Sequence, residues 1–199
     1  MTKPVIATLL VILLTGCAST PSLQFYVLEP LSQPSATNIE TAKKHTIGIG
    51  PISVPTLLER KQIVTRTSDN TVQIAEFQQW ASPLQDNLLQ ALTRNLSTLQ
   101  PNNIVRTYPW SIHGMVDRQV IVDIIRFDTT PGESANLEAN WTIKNEATHT
   151  VLQSGHTVIN RSITDSSYPG MVRALSKILG EFGHELSLAL LKVESSHYK

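Results

Sequence analysis

The side chain with the clearest covalent chemistry is Cys17, the only cysteine in the 199-residue sequence. It follows Leu14, Thr15 and Gly16, and two small residues before a cysteine form a lipobox, in which the cysteine sulfur receives a diacylglyceryl group. The preceding apolar run, residues 5–14, is shorter than the roughly 20 residues of a membrane-spanning helix and is typical of a signal peptide. An ordinary secretory signal with an unrelated cysteine is the alternative, although Cys17 has no second cysteine to pair with.

Cleavage before Cys17 divides the chain into a signal peptide at residues 1–16, a lipidated tether at 17–22 and a single domain at 23–199. One acyl chain holds a protein on a membrane only marginally, whereas the three chains of a bacterial lipoprotein hold it permanently. Ala18 stands where Asp resembles an inner-membrane retention signal of enteric lipoproteins, so we expect an outer-membrane anchor and a periplasmic domain. The extended tether spans less than about 20 Å, which keeps the domain close to the membrane.

Other residues with catalytic or metal-binding chemistry are scattered. Glu181 and His184 form an E-x-x-H pair, the spacing that places two ligands on one helix face, but a di-metal site needs a second pair and further carboxylates. Asp117, Asp123 and Asp128 lie around one predicted strand, where carboxylates commonly face solvent. The sequence contains no G-x-S-x-G, P-loop or H-E-x-x-H motif. We therefore expect no enzyme activity, no metal and no cofactor.

The charge balance argues against a nucleic-acid partner. Lys and Arg number 16, Asp and Glu also number 16, and the formal net charge is zero. A nucleic-acid-binding domain would show a basic excess on at least one face. The length is that of one domain with a core of its own.

Hydrophobic periodicity predicts two amphipathic helices. In the first, Ser82 is the expected N-cap, Gln85 completes a capping box, and leucines recur every three or four residues over 84–99. The second helix is expected at about residues 169–193, with its apolar side chains on one stripe. Each helix must bury that stripe against another layer.

Alternating and apolar runs predict the strands. Residues 135–144 alternate between apolar and polar side chains, and 151–163 is the expected antiparallel partner. Gly48 and Gly50 interrupt an earlier strand and indicate a bulge or close packing. The fold class predicted is α+β, an antiparallel sheet with both helices packed on one face. The other expected strands are residues 46–54, 62–67, 71–74, 103–107 and 120–127.

Several segments occur in a defined order after the lipobox. They are Tyr26-Val27-Leu28-Glu29-Pro30, residues 47–66 and residues 75–84, continued by 95–97 and 108–110. In composition, order and spacing these segments resemble the PqiC-type lipoproteins, also described as ABC-transport auxiliary lipoproteins. The resemblance covers nearly all of the mature chain.

The resemblance implies a non-catalytic accessory subunit of an intermembrane lipid transport system that maintains the envelope. Its partners would be an MCE-domain protein, which forms a tube across the periplasm, and a membrane transporter, in either a PqiC-type or another ABC system. A homo-oligomeric ring would match the symmetry of such a tube. A stand-alone lipid-binding or structural lipoprotein is the alternative, and an envelope hydrolase lacks a nucleophile and base.

Four aromatic residues are candidates for the partner surface, because aromatic side chains are enriched at interface hot spots. Filling of the core at the junctions between elements is the alternative role for them. They are Phe77, Trp80, Tyr108 and Trp110.

Overall fold

The computed structural model describes residues 21–32, 45–68, 70–110 and 114–196. The predicted signal peptide, Cys17 and the predicted tether through residue 20 lie outside these ranges, as does Asp69 in the predicted hairpin turn. Between the second and third strands, residues 56–58 form a short 3-10 turn. The strands are β1 (Gln24–Tyr26), β2 (Thr46–Ser53), β3 (Gln62–Ser68), β4 (Thr71–Trp80), β5 (Ile104–Thr107), β6 (Arg118–Thr130), β7 (Ser134–Asn145) and β8 (Val151–Ser162), and the helices are α1 (Leu84–Leu99) and α2 (Tyr168–Ser196).

The described strands form two mixed sheets. One has the order β5-β2-β6-β7-β8, in which β2 runs parallel to both β5 and β6 while β6, β7 and β8 are antiparallel. The other has the order β1-β4-β3, with β1 parallel to β4. The predicted α+β class is therefore confirmed, but the prediction of a single antiparallel sheet was wrong. The chain between β2 and β5 includes a hairpin and a helix, long enough to return in the same direction.

The two predicted helices are present and pack against each other. α1 contacts β2 and β5, whereas α2 contacts β6, β7 and β8. No helix in the described ranges combines the length and apolar character needed to cross a membrane. The predicted stripes are buried except at Leu99, the half-buried last residue of α1. The buried members are Leu84, Leu88, Leu92 and Leu96 of α1 and Met171, Leu175, Ile178, Phe182, Leu186, Leu190 and Val193 of α2.

The predicted capping box of α1 does not form. The helix begins after Pro83, and no side chain hydrogen-bonds to its first backbone N–H groups. Ser82 Oγ instead accepts a hydrogen bond from Asn87 Nδ2 at 3.0 Å, and Gln85 Nε2 donates to Ile52 O at 2.6 Å. The Gln85 side chain, which the local pattern assigned to capping, thus forms a tertiary hydrogen bond with β2 instead.

The alternation predicted for residues 135–144 is confirmed in β7. Its odd-numbered side chains from Ala135 to Ile143 are buried, and the intervening positions other than Asn136 are half-buried or exposed. Trp141 Nε1 donates to Thr157 Oγ1 at 3.0 Å, and the Thr157 hydroxyl donates to Glu185 Oε1 at 2.6 Å. This chain of hydrogen bonds joins β7, β8 and α2.

A buried carboxylate joins the two sheets. The Asp128 side chain on β6 is 7% exposed, so it does not face solvent as the strand pattern predicted. Arg66 Nε of β3 donates to it at 2.8 Å, Arg126 Nε donates at 2.9 and 3.0 Å, and Asn136 Nδ2 donates at 3.2 Å. Because a buried charge needs compensating partners, this cluster holds β3 beside β6.

The substitution Leu92→Asp tests the buried face of α1. Leu92 is 0% exposed, so the variant would bury an unpaired carboxylate and lower the free energy of unfolding by several kcal/mol. Chemical denaturation measures the change. Arg94→Asp, at an exposed position of the same helix, is the control and is expected to change stability by less than about 0.5 kcal/mol. Equal unfolding midpoints for the two variants would contradict the burial of this face.

Candidate functional site

The first described strand follows the tether directly and lies at an edge of the three-stranded sheet. β1 pairs with the end of β4, where Phe25 is opposite Gln79 and Tyr26 is opposite Trp80. The backbone N–H of Ala81 donates to Tyr26 O at 2.8 Å and extends this pairing. We call residues 24–31 the N-terminal strap, because they connect the tether to the folded domain.

Beyond β1, the N-terminal strap crosses to both helices. Glu29 N donates to Ser176 Oγ of α2 at 3.1 Å, and Leu31 N donates to Asn95 Oδ1 of α1 at 2.7 Å. Leu31 packs over Gly180, where an added Cβ would lie 2.6 Å from Leu31 Cδ2. A glycine at this position of α2 therefore lets the strap approach the helix closely.

A groove of about 550 Å³ separates the N-terminal strap from the first turns of α2. Its walls combine apolar side chains with two exposed cationic ones, Arg173 and Lys177. Arg173 forms an ion pair with Asp165, at a distance of 3.6 Å. The other groove-lining side chains that matter here are Phe25, Val27, Pro169 and Val172.

Three ionisable groups beside the groove, Tyr26, Tyr168 and Asp165, have shifted pKa values. Burial raises the pKa of Tyr26, and burial together with Tyr26 raises the pKa of Tyr168, so both phenols stay protonated. Hydrogen bonds from the Ser167 side chain and backbone, with a smaller contribution from Arg173, lower the pKa of Asp165, so its carboxylate stays ionised. The groove thus provides apolar contact and fixed charges for binding.

A second exposed feature is the pair formed by Tyr108 and Trp110. Their rings meet edge to face with centroids 5.3 Å apart. An added Cβ at Gly48 would lie 2.7 Å from the Trp110 ring, and one at Gly50 would lie 2.8 Å from Tyr108 Cβ. Gly50 also has a φ of 112°, and the pairing of β2 with β6 shifts between Ile49 and Ile52. The predicted bulge and close packing at these glycines are confirmed.

The structure brings together two of the four aromatic candidates. Tyr108 and Trp110 contact each other, whereas Trp80 lies in the hydrophobic core opposite Tyr26 of the strap. Phe77 is half-buried on β4, in the three-stranded sheet. The partner surface predicted from these aromatics therefore reduces to the Tyr108–Trp110 pair and stays a prediction.

The E-x-x-H pair of α2 has other contacts. Glu181 forms an ion pair with Arg161 of β8 at 2.7 Å, and His184 is exposed. Among the described residues, no group of three or more His, Cys, Asp or Glu side chains is placed to hold a metal ion.

Sequence reasoning missed the anchoring role of Asn95 and Ser176. No local pattern marks these residues, because their partners lie 64 and 147 positions away in the chain. A signal for the strap itself was present in the alternation of Leu23, Phe25 and Val27 directly after the tether.

Comparison with known families identifies the family of this chain. The model of the family described as "ABC-type transport auxiliary lipoprotein component" matches residues 26–187, which include most of the N-terminal strap, strands β2 to β8, α1 and most of α2. The chain belongs to this family. The family predicted from the segments that follow the lipobox is thus confirmed.

Two curated members have similar sequences. The intermembrane transport lipoproteins PqiC of Escherichia coli K12 and of Shigella flexneri are each 30% identical to this chain over 107 residues. The alignment covers 54% of this chain and 57% of each relative, so it spans less than two thirds of their length.

Two solved structures share the fold of this auxiliary lipoprotein. An uncharacterised protein superposes with a TM-score of 0.71 at 19% identity, covering 85% of this chain and 99% of the other. A protein from Xanthomonas campestris superposes with a TM-score of 0.70 at 16% identity, covering 88% of this chain and 99% of the other. At these identities the likeness concerns the fold.

The substitution Asn95→Ala tests how the N-terminal strap is held. Asn95 is fully buried, and the variant leaves Leu31 N without its acceptor, which is expected to cost about 1–3 kcal/mol of stability. Denaturation measures the loss, and limited proteolysis reports cleavage within the strap. The control is Gln90→Ala at an exposed position of α1. If proteolysis of the strap were the same in both variants, the Asn95 contact would not be what holds it.

Proposed function

We propose that this protein is a lipid-anchored, non-catalytic accessory subunit of an MCE/ABC-type system that moves lipids between the two membranes and maintains the envelope. The observation that carries the proposal is the family match over residues 26–187 in a chain whose only cysteine, Cys17, lies in a lipobox. The anchor would sit in the outer membrane and the domain in the periplasm, as Ala18 suggests.

The contacts of the charged side chains support a non-catalytic role. Asp128 is compensated by arginines, Glu181 pairs with Arg161, and Glu185 accepts the Thr157 hydroxyl. These contacts stabilise the domain by joining strands and helices. A general acid or base is instead expected in a cleft, with a shifted pKa and access to a substrate.

The Tyr108–Trp110 pair is the proposed contact surface for the MCE-domain partner. Tyr108 is 44% exposed, its ring meets that of Trp110 edge to face, and the glycines of β2 let both side chains pack closely against the strand. Rigid aromatic side chains lose little conformational entropy on binding and are common hot spots. A homo-oligomeric ring would present several copies of the pair to the end of a ring-symmetric tube.

A stand-alone lipid-binding lipoprotein is the second candidate function. The groove beside the N-terminal strap favours it, because its apolar walls and cationic side chains suit an amphiphilic molecule. The two functions differ in whether a protein partner is needed, so capture of a partner from the envelope distinguishes them.

The combined substitution of Tyr108→Ala and Trp110→Ala tests the partner surface. Loss of a hot spot costs about 2 kcal/mol or more, which corresponds to a loss of affinity of roughly thirtyfold. Affinity capture from solubilised envelopes measures the recovery of an MCE-domain protein, and the mass of the eluted complex reports the number of copies in a ring.

Ile104→Ala is the matched control for this capture, because Ile104 is 47% exposed and Tyr108 is 44% exposed. Equal recovery of the partner with the control and the double variant would exclude the aromatic pair as the contact surface. Recovery of no MCE-domain protein or permease with the unchanged protein would favour the stand-alone function.

Substitutions at the lipobox test the anchor. Cys17→Ser removes the sulfur that accepts the diacylglyceryl group, so the protein is expected to leave the membrane fraction. Ala18→Asp keeps the lipid and is expected to shift the protein from the outer to the inner membrane. Density-gradient separation of the two membranes measures both effects. Unchanged distribution of the Cys17→Ser variant would refute lipid anchoring at this residue.

A further inference from the structure

Three apolar side chains next to the tether point away from the core. Leu23, Phe25 and Val27 are 50%, 61% and 52% exposed. Tyr26 and Leu28, the two neighbours of Val27, face inward. Alternation along an extended chain places Leu23, Phe25 and Val27 on one side of β1. Apolar side chains grouped in this way on a surface mark a contact with a membrane or with another protein.

The N-terminal strap holds these side chains in a fixed position relative to the domain. β1 is paired with β4, Leu28 lies in the core, and Leu31 is hydrogen-bonded to Asn95. A flexible segment could turn its apolar side chains in any direction, but this one cannot. The orientation of β1 therefore determines which side of the whole domain faces the lipid anchor.

The distance to the anchor favours a membrane as the occupant. Leu23 lies six residues after Cys17, a span of at most about 22 Å when fully extended. A surface tethered at that range meets the membrane at a high effective concentration. We propose that Leu23, Phe25 and Val27 insert into the interfacial region of the membrane that holds the anchor, so that β1 is a second, non-covalent membrane contact. The proposal rests on the lipid anchor at Cys17 that is part of the proposed function.

The side chains around β1 suit the boundary between headgroups and acyl chains. Arg173 and Lys177 line the same groove as Phe25 and Val27, and both can extend an apolar stem along lipid while the charged end contacts phosphate. Glu29 and Asp165 offset the two positive charges, so the contact depends on apolar insertion more than on anionic lipid.

Spin labels on single introduced cysteines test the contact in the lipidated full-length protein. Cys17 is the only native cysteine and its sulfur carries the lipid, so a label at Phe25→Cys or Val27→Cys is unique. In phosphatidylethanolamine–phosphatidylglycerol vesicles, the ratio of oxygen to nickel-chelate accessibility measures contact with lipid. We expect the ratio at both positions to exceed that of the control label several-fold.

Val151→Cys is the control, because Val151 is also 61% exposed. Val151 is the first residue of β8, and the other end of this strand, roughly 36 Å away, leads into α2 near the strap. The control label therefore lies far from the strap. Adding Phe25→Asp is expected to lower the ratio at the Val27→Cys label, and adding Leu188→Asp, at a 60% exposed position of α2, is expected to leave it unchanged.

Flotation of the vesicles separates the failure of this proposal from the failure of the anchor. If the protein floats but the labels at residues 25 and 27 are as accessible to the nickel chelate as the label at residue 151, the membrane contact alone is overturned. Protein that does not float overturns the anchor and the contact that rests on it. Spin–spin broadening at Phe25→Cys without raised oxygen access would assign β1 to a second copy of the chain and overturn the lipid contact.

Discussion

The compensation of Asp128 is the interaction on which the relative placement of the two sheets depends. A carboxylate with a 7% exposed side chain requires partners, and Arg66 supplies one from the other sheet. With β3 held beside β6, β4 follows through the hairpin and β1 follows through its pairing with β4. The position of the N-terminal strap thus depends in part on a charge cluster far from it in sequence.

The N-terminal strap connects β4 to both helices. Its backbone N–H groups donate to Ser176 on α2 and Asn95 on α1, and Leu31 packs on Gly180. A lipid anchor on a short tether can orient a domain only if the first folded residues are fixed to the rest of that domain. The strap meets this requirement. The aromatic pair Tyr108–Trp110 follows β5 and packs against the glycines of β2 in the five-stranded sheet.

The functional surfaces differ in how far the sequence could predict them. The family segments and the lipobox could be recognised directly, because both are local patterns. The sequence could not separate buried from exposed positions among the four aromatic candidates. Trp80 enters the core and Tyr108 remains exposed for reasons that depend on strand pairing. Asn95 and Ser176 carry no local signal at all, because their role is defined by partners distant in the chain.

The sequence by itself determined the buried faces of both helices and the alternation of β7, because periods of 3.6 and 2 are properties of the local backbone. Only the tertiary structure decided that β2 runs parallel to β5 and β6, and that the strands divide into two mixed sheets. It also decided that Gln85 bonds to β2 instead of capping α1. The physical reason is that strand pairing and buried hydrogen bonds join distant residues, and periodicity within one segment does not encode which partner it meets.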